Sequence, residues 1–287
     1  MKLRAVVLPL FLLYPLYAGV MYAKQLAILF PAASDHHHAF AGPLPANAEL
    51  VEIPASFGKV RAIFLVPPVG TAAAPAIVFA HGNFERVQDS YPIFKNLVDS
   101  GIAVLQLEFP GYDGADGKPG YASINEAENL AYDWLAKQAQ VDPQRIISMG
   151  YSIGGGPACE LARNRHTRGL ILLSTYSSIV DIAHHYLLPA FVVRVPWDNT
   201  TCERDYAGPV LIEHGRHDEV IPYELGMRNV AAAGDRGEFV PLDCGHADCH
   251  FDRTIFAERL PAWMRKHGLL DAKNPNSDDS GPTNSGF

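Results

Sequence analysis

The feature that most constrains this chain is the segment Gly150-Tyr151-Ser152-Ile153-Gly154, which fits the pattern G-x-S-x-G. In this pattern a serine occupies a sharp, strained turn between a strand and a helix, with its hydroxyl exposed at the end of the strand. Glycines are needed on both sides because a side chain there would clash across so tight a turn. The segment therefore predicts a nucleophilic Ser152.

The residues on both sides of this turn have the patterns that the motif requires. Residues 145–149, which include Ile146, Ile147 and Met149, predict a short buried strand, and residues 153–164 carry apolar side chains at helical spacing. A helix that begins here directs its free N–H groups, and the positive end of its dipole, toward Ser152. Such an environment suits a developing oxyanion.

Strands and helices alternate along most of the chain. We predict strands near residue 50 and at residues 60–66, 76–80, 102–109, 169–173, 209–214 and 238–241, and helices at residues 87–99, 124–138, 224–233 and 254–266. This alternation predicts an α/β fold, with a mostly parallel central sheet and helices on both faces. A stretch at about residues 175–207 interrupts the alternation, and we interpret it as a small lid over the strand ends.

Composition and length fit one large catalytic domain. The 287 residues carry a net charge of −8, which gives no reason to expect nucleic-acid binding. We place the catalytic domain at residues 49–268, a linker at 31–48 and a polar, disordered tail at 269–287. Three adjacent histidines at 36–38 are interpreted as part of the solvated linker, because three neighbours cannot all face one metal ion from a regular element.

Residues 1–30 form a membrane anchor or a signal segment in this interpretation. The uncharged run at residues 5–23 would span nearly 30 Å as a helix, at roughly 1.5 Å for each residue. Lys2 and Arg4 precede it, so the positive-inside rule places the catalytic domain on the extracytoplasmic side of the membrane. The alternative is a cleaved signal peptide, which would give a secreted or periplasmic protein.

Four cysteines are compatible with disulfides in such a compartment. Cys159 falls on the helix after Ser152, where an inert buried thiol is expected. A bridge would therefore join two of Cys202, Cys244 and Cys249, and the sequence does not select the pair.

A serine nucleophile needs a base, and the base needs an orienting carboxylate. In a parallel sheet these groups should follow later strands, in the order serine, acid, histidine. Asp218 follows one such strand and His246 follows the next. Glu219 is the alternative acid, and the alternative bases are His214, His217 and His250. Gly245 favours His246, because a glycine permits the tight loop that turns the imidazole back over the sheet.

An oxyanion hole should combine the N–H after the nucleophile with one from the loop after an early strand. Ile153 supplies the first, and the loop at residues 81–84 supplies the second. We predict the N–H of Asn83, with that of Phe84 as the alternative.

Together these motifs resemble the α/β-hydrolase superfamily, and within it small-lid, often membrane-anchored serine hydrolases that include depalmitoylating thioesterases. The segments that carry the resemblance are Phe79-Ala80-His81-Gly82-Asn83, Glu108-Phe109-Pro110-Gly111-Tyr112, Gly150-Tyr151-Ser152-Ile153-Gly154-Gly155, residues 214–222 and Cys244-Gly245-His246. The chain departs from the family pattern at Asp113, where glycine is frequent, and at the cysteines around His246.

We interpret the chain as a serine hydrolase that cleaves carboxylic esters or thioesters, with a small-molecule or lipid-like acyl substrate. The resemblance matches Ser152, Asp218 and His246 to the catalytic triad of the family, but it does not fix the substrate. It implies no metal and no organic cofactor. A serine peptidase on the same fold and a catalytically silent binding protein are the competing interpretations, since one fold supports several functions.

Overall fold

The computed structural model describes residues 2–34, 44–68 and 73–272, and for residues 2–12, 252 and 254 the backbone only. The histidine run at 36–38, most of the predicted linker and the tail from residue 273 onward lie outside the described residues. The boundaries proposed for these segments therefore stay predictions.

An eight-stranded sheet forms the centre of the molecule. Its strands are β1 (Ala48–Ala55), β2 (Gly58–Leu65), β3 (Ala74–Ala80), β4 (Ala103–Leu107), β5 (Val141–Tyr151), β6 (Leu170–Leu173), β7 (Val210–Gly215) and β8 (Gly237–Leu242). Their order in space is β1-β2-β4-β3-β5-β6-β7-β8. The pairs β1–β2 and β2–β4 are antiparallel and all the others are parallel, so the mostly parallel sheet predicted from the sequence is confirmed.

Helices cover both faces of this sheet. They are α1 (Lys2–Leu29), α2 (Val87–Ser90), α3 (Lys95–Asp99), α4 (Tyr121–Leu135), α5 (Gly155–Asn164), α6 (Ile179–His185), α7 (Asn199–Asp205), α8 (Tyr223–Ala233), α9 (Phe251–Thr254) and α10 (Leu260–Lys266). Every residue of β3 is buried, because apolar clusters fill the space on each side of it. Burial on both faces of the sheet explains why such strands are continuously apolar in the sequence.

The lid, residues 175–207, contains α6, a short 3-10 turn at Ala190–Val192 and α7. Helix α1 packs against it, which the sequence analysis did not predict. Phe30, directly after α1, is 1% exposed, and its ring makes edge contacts with the rings of Phe109 and Trp197. The C-terminal end of the N-terminal segment is therefore packed against the catalytic domain.

The described ranges contain no helix with both the length and the apolar composition that crossing a bilayer requires. At the other end of the chain, the packed structure extends beyond the predicted boundary at residue 268. Leu269 and Leu270 are buried in the same apolar cluster as Trp263.

Candidate active site

Ser152 occupies a strained turn directly after β5. Its φ angle is +54°, in the left-handed region that side chains other than glycine rarely adopt. A Cβ atom at Gly150 would collide with the carbonyl of Gly154, and one at Gly154 would collide with the carbonyl of Ala80. Strand, turn and helix α5 follow one another as the motif predicts, and the flanking glycines are sterically required.

Two residues after β6 hold this turn in place, and sequence reasoning did not assign them a role. The hydroxyl of Thr175 donates to the carbonyl oxygen of Ser152 at 2.7 Å, and the Tyr176 hydroxyl donates to that of Ile153 at 3.2 Å. The Asn199 amide in turn donates to the Tyr176 carbonyl at 2.8 Å. The one sequence signal for a role of Thr175 and Tyr176 was their position directly after β6, the parallel strand next to β5.

The structure brings the three predicted residues together. Ser152 Oγ lies 2.9 Å from His246 Nε2, and His246 Nδ1 lies 2.7 Å from Asp218 Oδ2. Asp218 follows β7 and His246 follows β8, so all three residues stand at the carboxyl ends of parallel strands. Each is at most 9% exposed, which keeps their mutual hydrogen bonds largely away from water.

Asp218 is held as a carboxylate. Its Oδ1 accepts hydrogen bonds from the N–H groups of Val220 and Ile221, at 2.9 and 2.7 Å. Burial alone would raise the pKa of the Asp218 carboxyl, but hydrogen bonds with His214, His246 and the Ile221 N–H hold that pKa well below its usual range. A permanently charged acceptor therefore faces His246 Nδ1.

A second imidazole touches the same carboxylate. His214 is fully buried, and its Nε2 lies 2.9 Å from the Ile221 carbonyl oxygen and 3.3 Å from Asp218 Oδ2. With a proton on Nε2 it serves both acceptors. His214 therefore supports the acid and does not occupy the position of the base.

Three further candidates for acid or base lie outside the catalytic positions. Glu219 Oε2 accepts from the backbone N–H of His246 at 3.4 Å, so it contacts the loop and not the imidazole. His217 is exposed and pairs with Asp243, at 2.9 Å from its Oδ1. His250 is exposed and precedes α9 in a left-handed conformation.

A disulfide between Cys244 and Cys249 closes the loop that carries His246. Within this loop the Gly245 N–H donates to Asp248 Oδ1 at 2.6 Å. The disulfide uses both thiols, so they are not available as metal ligands. The other two cysteines, Cys159 and Cys202, are free and buried, as the sequence predicts for Cys159.

The predicted oxyanion donors lie in the right region. Asn83 and Ile153 line the same cavity as Ser152. The N–H of Gly82 is not available, because it donates to Glu85 Oε2 at 2.7 Å. The assignment of the Asn83 and Ile153 N–H groups to an oxyanion stays a prediction.

The cavity at Ser152 has a volume of about 370 Å³. We call it the Ser152 cavity. Its lining is mainly apolar and comes from α1, the lid and the loops around Ser152: Met21, Gln25, Ile28, Leu29, Asn83, Ser152, Ile153, Tyr176, Ile179, Ile182, Ala183, Tyr186, Leu188, Val220 and Ile221.

The sheet topology and the position of Ser152 define an α/β-hydrolase fold. The sequence model of the family described as "alpha/beta hydrolase fold" matches residues 75–202. Together with the solved structures below, this match supports the α/β-hydrolase fold.

Similar proteins include uncharacterized bacterial proteins, a lipase and esterases of known structure. Protein Rv2307c of Mycobacterium tuberculosis is 28% identical over 250 residues, which cover 85% of this chain and 88% of that protein. The lysophosphatidylserine lipase ABHD12 of Danio rerio is 26% identical over 204 residues, which cover 58% of this chain and 51% of the lipase.

Among solved structures, Est1E from Butyrivibrio proteoclasticus superposes with a TM-score of 0.62 at 20% identity, covering 76% of this chain and 98% of Est1E. Esterase Est2 of Thermogutta terrifontis, with propionate bound, gives a TM-score of 0.63 at 18% identity, covering 81% of this chain and 98% of the esterase. At these identities the likeness establishes the fold.

Proposed function

We propose that this protein is a serine hydrolase that cleaves carboxylic ester or thioester bonds through an acyl-enzyme. The observation that carries the proposal is the hydrogen-bonded series from Ser152 Oγ to His246 Nε2, 2.9 Å, and from His246 Nδ1 to Asp218 Oδ2, 2.7 Å. A serine hydroxyl becomes a useful nucleophile when a base held in this way removes its proton.

Each group has a defined task in the reaction. Ser152 Oγ attacks the substrate carbonyl carbon while its proton passes to His246 Nε2, and Asp218 stabilises the imidazolium that forms. The N–H groups of Asn83 and Ile153 would donate hydrogen bonds to the carbonyl oxygen as it becomes negatively charged. The leaving alcohol or thiol then takes the proton from His246. His246 then takes a proton from a water molecule, and this water attacks the carbonyl carbon of the acyl-enzyme. The carboxylic acid product leaves, and His246 returns the proton to Ser152.

The cavity favours an acyl group of lipid-like character. None of the described residues that line it carries a charge, and most are aliphatic or aromatic. Its volume, about 370 Å³, lies within the range of roughly 300–1,000 Å³ for small-ligand sites. The names of similar proteins, an esterase and a lysophosphatidylserine lipase, agree with an ester substrate.

We also propose that the domain works on the extracytoplasmic side of a membrane, with the N-terminal segment as its attachment. The basic residues before the apolar run support this orientation, and so does the disulfide beside His246, because disulfides persist in oxidising compartments. Membrane fractionation with a carbonate wash, followed by protease treatment of cells from which any outer membrane has been removed, tests both parts. Full release by carbonate, or protection of the domain from external protease, would contradict the proposal.

Labelling by a fluorophosphonate probe tests the catalytic assignment. The folded protein should be labelled and Ser152→Ala should not, whereas Ser100→Ala, which changes a serine outside the Ser152 cavity, should be labelled like the wild type. A wild-type protein that is folded but unlabelled would support the silent binding protein instead.

Matched ester, thioester and amide substrates with one acyl group distinguish an esterase or thioesterase from a peptidase. We expect turnover of the ester or thioester well above that of the amide. Faster turnover of the amide would favour a peptidase.

A further inference from the structure

Helix α1 contributes directly to the Ser152 cavity. Met21, Gln25, Ile28 and Leu29 of α1 line it together with Ile179, Ile182 and Ala183 of α6. Tethering the domain to a membrane does not require the N-terminal segment to line the cavity. The position of α1 therefore points to a role in binding substrate.

Hydrogen bonds fix α1 to the lid. The Tyr14 hydroxyl donates to the Leu187 carbonyl oxygen at 2.9 Å, and the Tyr17 hydroxyl donates to that of Tyr186 at 2.9 Å. Ala18 is 9% exposed and packs in one apolar cluster with residues of the lid. These contacts hold α1, from Tyr14 onward, in a defined place on the lid.

Gln25 shows how the α1 wall stays apolar. Its side-chain amide donates to the Val192 carbonyl oxygen at 3.1 Å, and its Oε1 accepts from the Arg194 N–H at 2.6 Å. Both polar ends of the one amide side chain that α1 places at the cavity are thus used by the lid. What α1 offers to a ligand is the aliphatic surface of Met21, Ile28 and Leu29.

The rim of the cavity is apolar as well. Ile28, Tyr186 and Val220 line the cavity and are about half exposed, at 49%, 51% and 50%. Next to Tyr186, Leu187 is 78% exposed. Apolar surface of this kind at the edge of a cavity is expected where an apolar ligand, or the surface that delivers it, makes contact.

We propose that α1 is part of the substrate-binding site, and that α1 and α6 together hold the long acyl chain of an amphiphilic ester. The proposal rests on the function proposed above and names its substrate class. Met21 on α1 and Ile182 on α6 determine how much acyl chain the cavity accepts. Because burial of each methylene increases binding about fourfold, kcat/KM should rise from the acetate ester to longer chains until the cavity is filled.

Substitutions that fill the cavity test this proposal better than removal of α1, because loss of the segment would also uncover the buried side chain of Phe30. Full-length protein is assayed with p-nitrophenyl esters from acetate to palmitate. Met21→Trp should lower the ratio of kcat/KM for laurate to that for acetate by about tenfold or more. Ile182→Trp tests the same cavity from α6.

Leu16→Trp is the matched control, since Leu16 lies on the same helix, is 63% exposed and does not line the cavity. It should leave the laurate-to-acetate ratio unchanged. An unchanged ratio in Met21→Trp or in Ile182→Trp, in protein that reacts with fluorophosphonate, would overturn the proposal. Failure of the wild type to react with fluorophosphonate would instead overturn the proposed function, so the two failures are distinguishable.

Discussion

The ring of Tyr151 is stacked on the imidazole of His246, with ring centroids 5.5 Å apart and an angle of 24° between the planes. The Tyr151 hydroxyl also donates to the His246 carbonyl oxygen at 2.8 Å. The residue directly before the nucleophile thus supports the residue assigned as its base. Such contacts are needed because His246 stands on a loop, and an imidazole misplaced by a fraction of an ångström would lose alignment with Ser152.

We therefore expect Tyr151→Phe to lower kcat by about two- to tenfold with little change in KM, as loss of one hydrogen bond worth roughly 0.5–1.5 kcal/mol implies. The ring stack remains, so the loss is partial. Steady-state kinetics on a soluble ester measures it. Tyr132→Phe is a matched control, because the Tyr132 hydroxyl also donates to a histidine carbonyl oxygen, that of His166 at 3.3 Å. An equal loss of kcat in both variants would exclude a specific effect of Tyr151.

The two neighbouring carboxylates should differ strongly in their effect on rate. Asp218→Asn should lower kcat by up to about 10⁴-fold, because an amide leaves the wrong imidazole tautomer favoured. Glu219→Gln should cost less than about tenfold, because Glu219 accepts only a long hydrogen bond, 3.4 Å, from the His246 backbone. Kinetics of both variants, with circular dichroism to verify folding, measures the difference. The acid assignment is wrong if Glu219→Gln proves the more damaging change.

The parts of the site that the sequence predicted are those encoded by local patterns. The turn at Ser152 follows from closely spaced glycines, and Asp218 and His246 follow from their places after apolar strands. Parallel strands bring their carboxyl ends to one edge of the sheet, so residues far apart in the sequence meet without further information.

The contacts that the sequence did not predict depend on tertiary packing. An apolar helix has the same composition whether it faces lipid or a protein surface, so the docking of α1 could not be derived from it. The bond from Tyr17 to Tyr186 joins residues 169 positions apart. The roles of Thr175 and His214 likewise could not be predicted from the sequence, because they depend on which side chains contact Ser152 and Asp218 in the folded protein.

Reduction of the Cys244–Cys249 disulfide should slow catalysis, because the bond closes the short loop that presents His246. Opening it gives the loop conformational freedom that must be lost again when the imidazole aligns with Ser152. We expect dithiothreitol to lower kcat by at least about threefold, with recovery on reoxidation. Ester kinetics with thiol counting measures the effect.

The double variant Cys244→Ser/Cys249→Ser supplies the control for this experiment. It should have the low kcat of the reduced protein and should not respond to dithiothreitol. Cys159 and Cys202 are already free thiols, so dithiothreitol has no disulfide to reduce in that variant. Full activity of the double variant would show that the disulfide does not position His246.

Glu213 is fully buried in β7. Neither of its carboxylate oxygens has a hydrogen-bond partner among the described residues, and burial raises its pKa to about 8. Its unfolded pKa is about 4.3, so its stabilising contribution is complete below that pH and is lost as the pH rises through about 8. Glu213→Gln stays neutral, and should raise Tm by at least about 4 °C at about pH 9 with little change at about pH 5. Scanning fluorimetry measures both, with the exposed Glu224→Gln as control. An equal gain in Tm at the two pH values would show that Glu213 is not the titrating group.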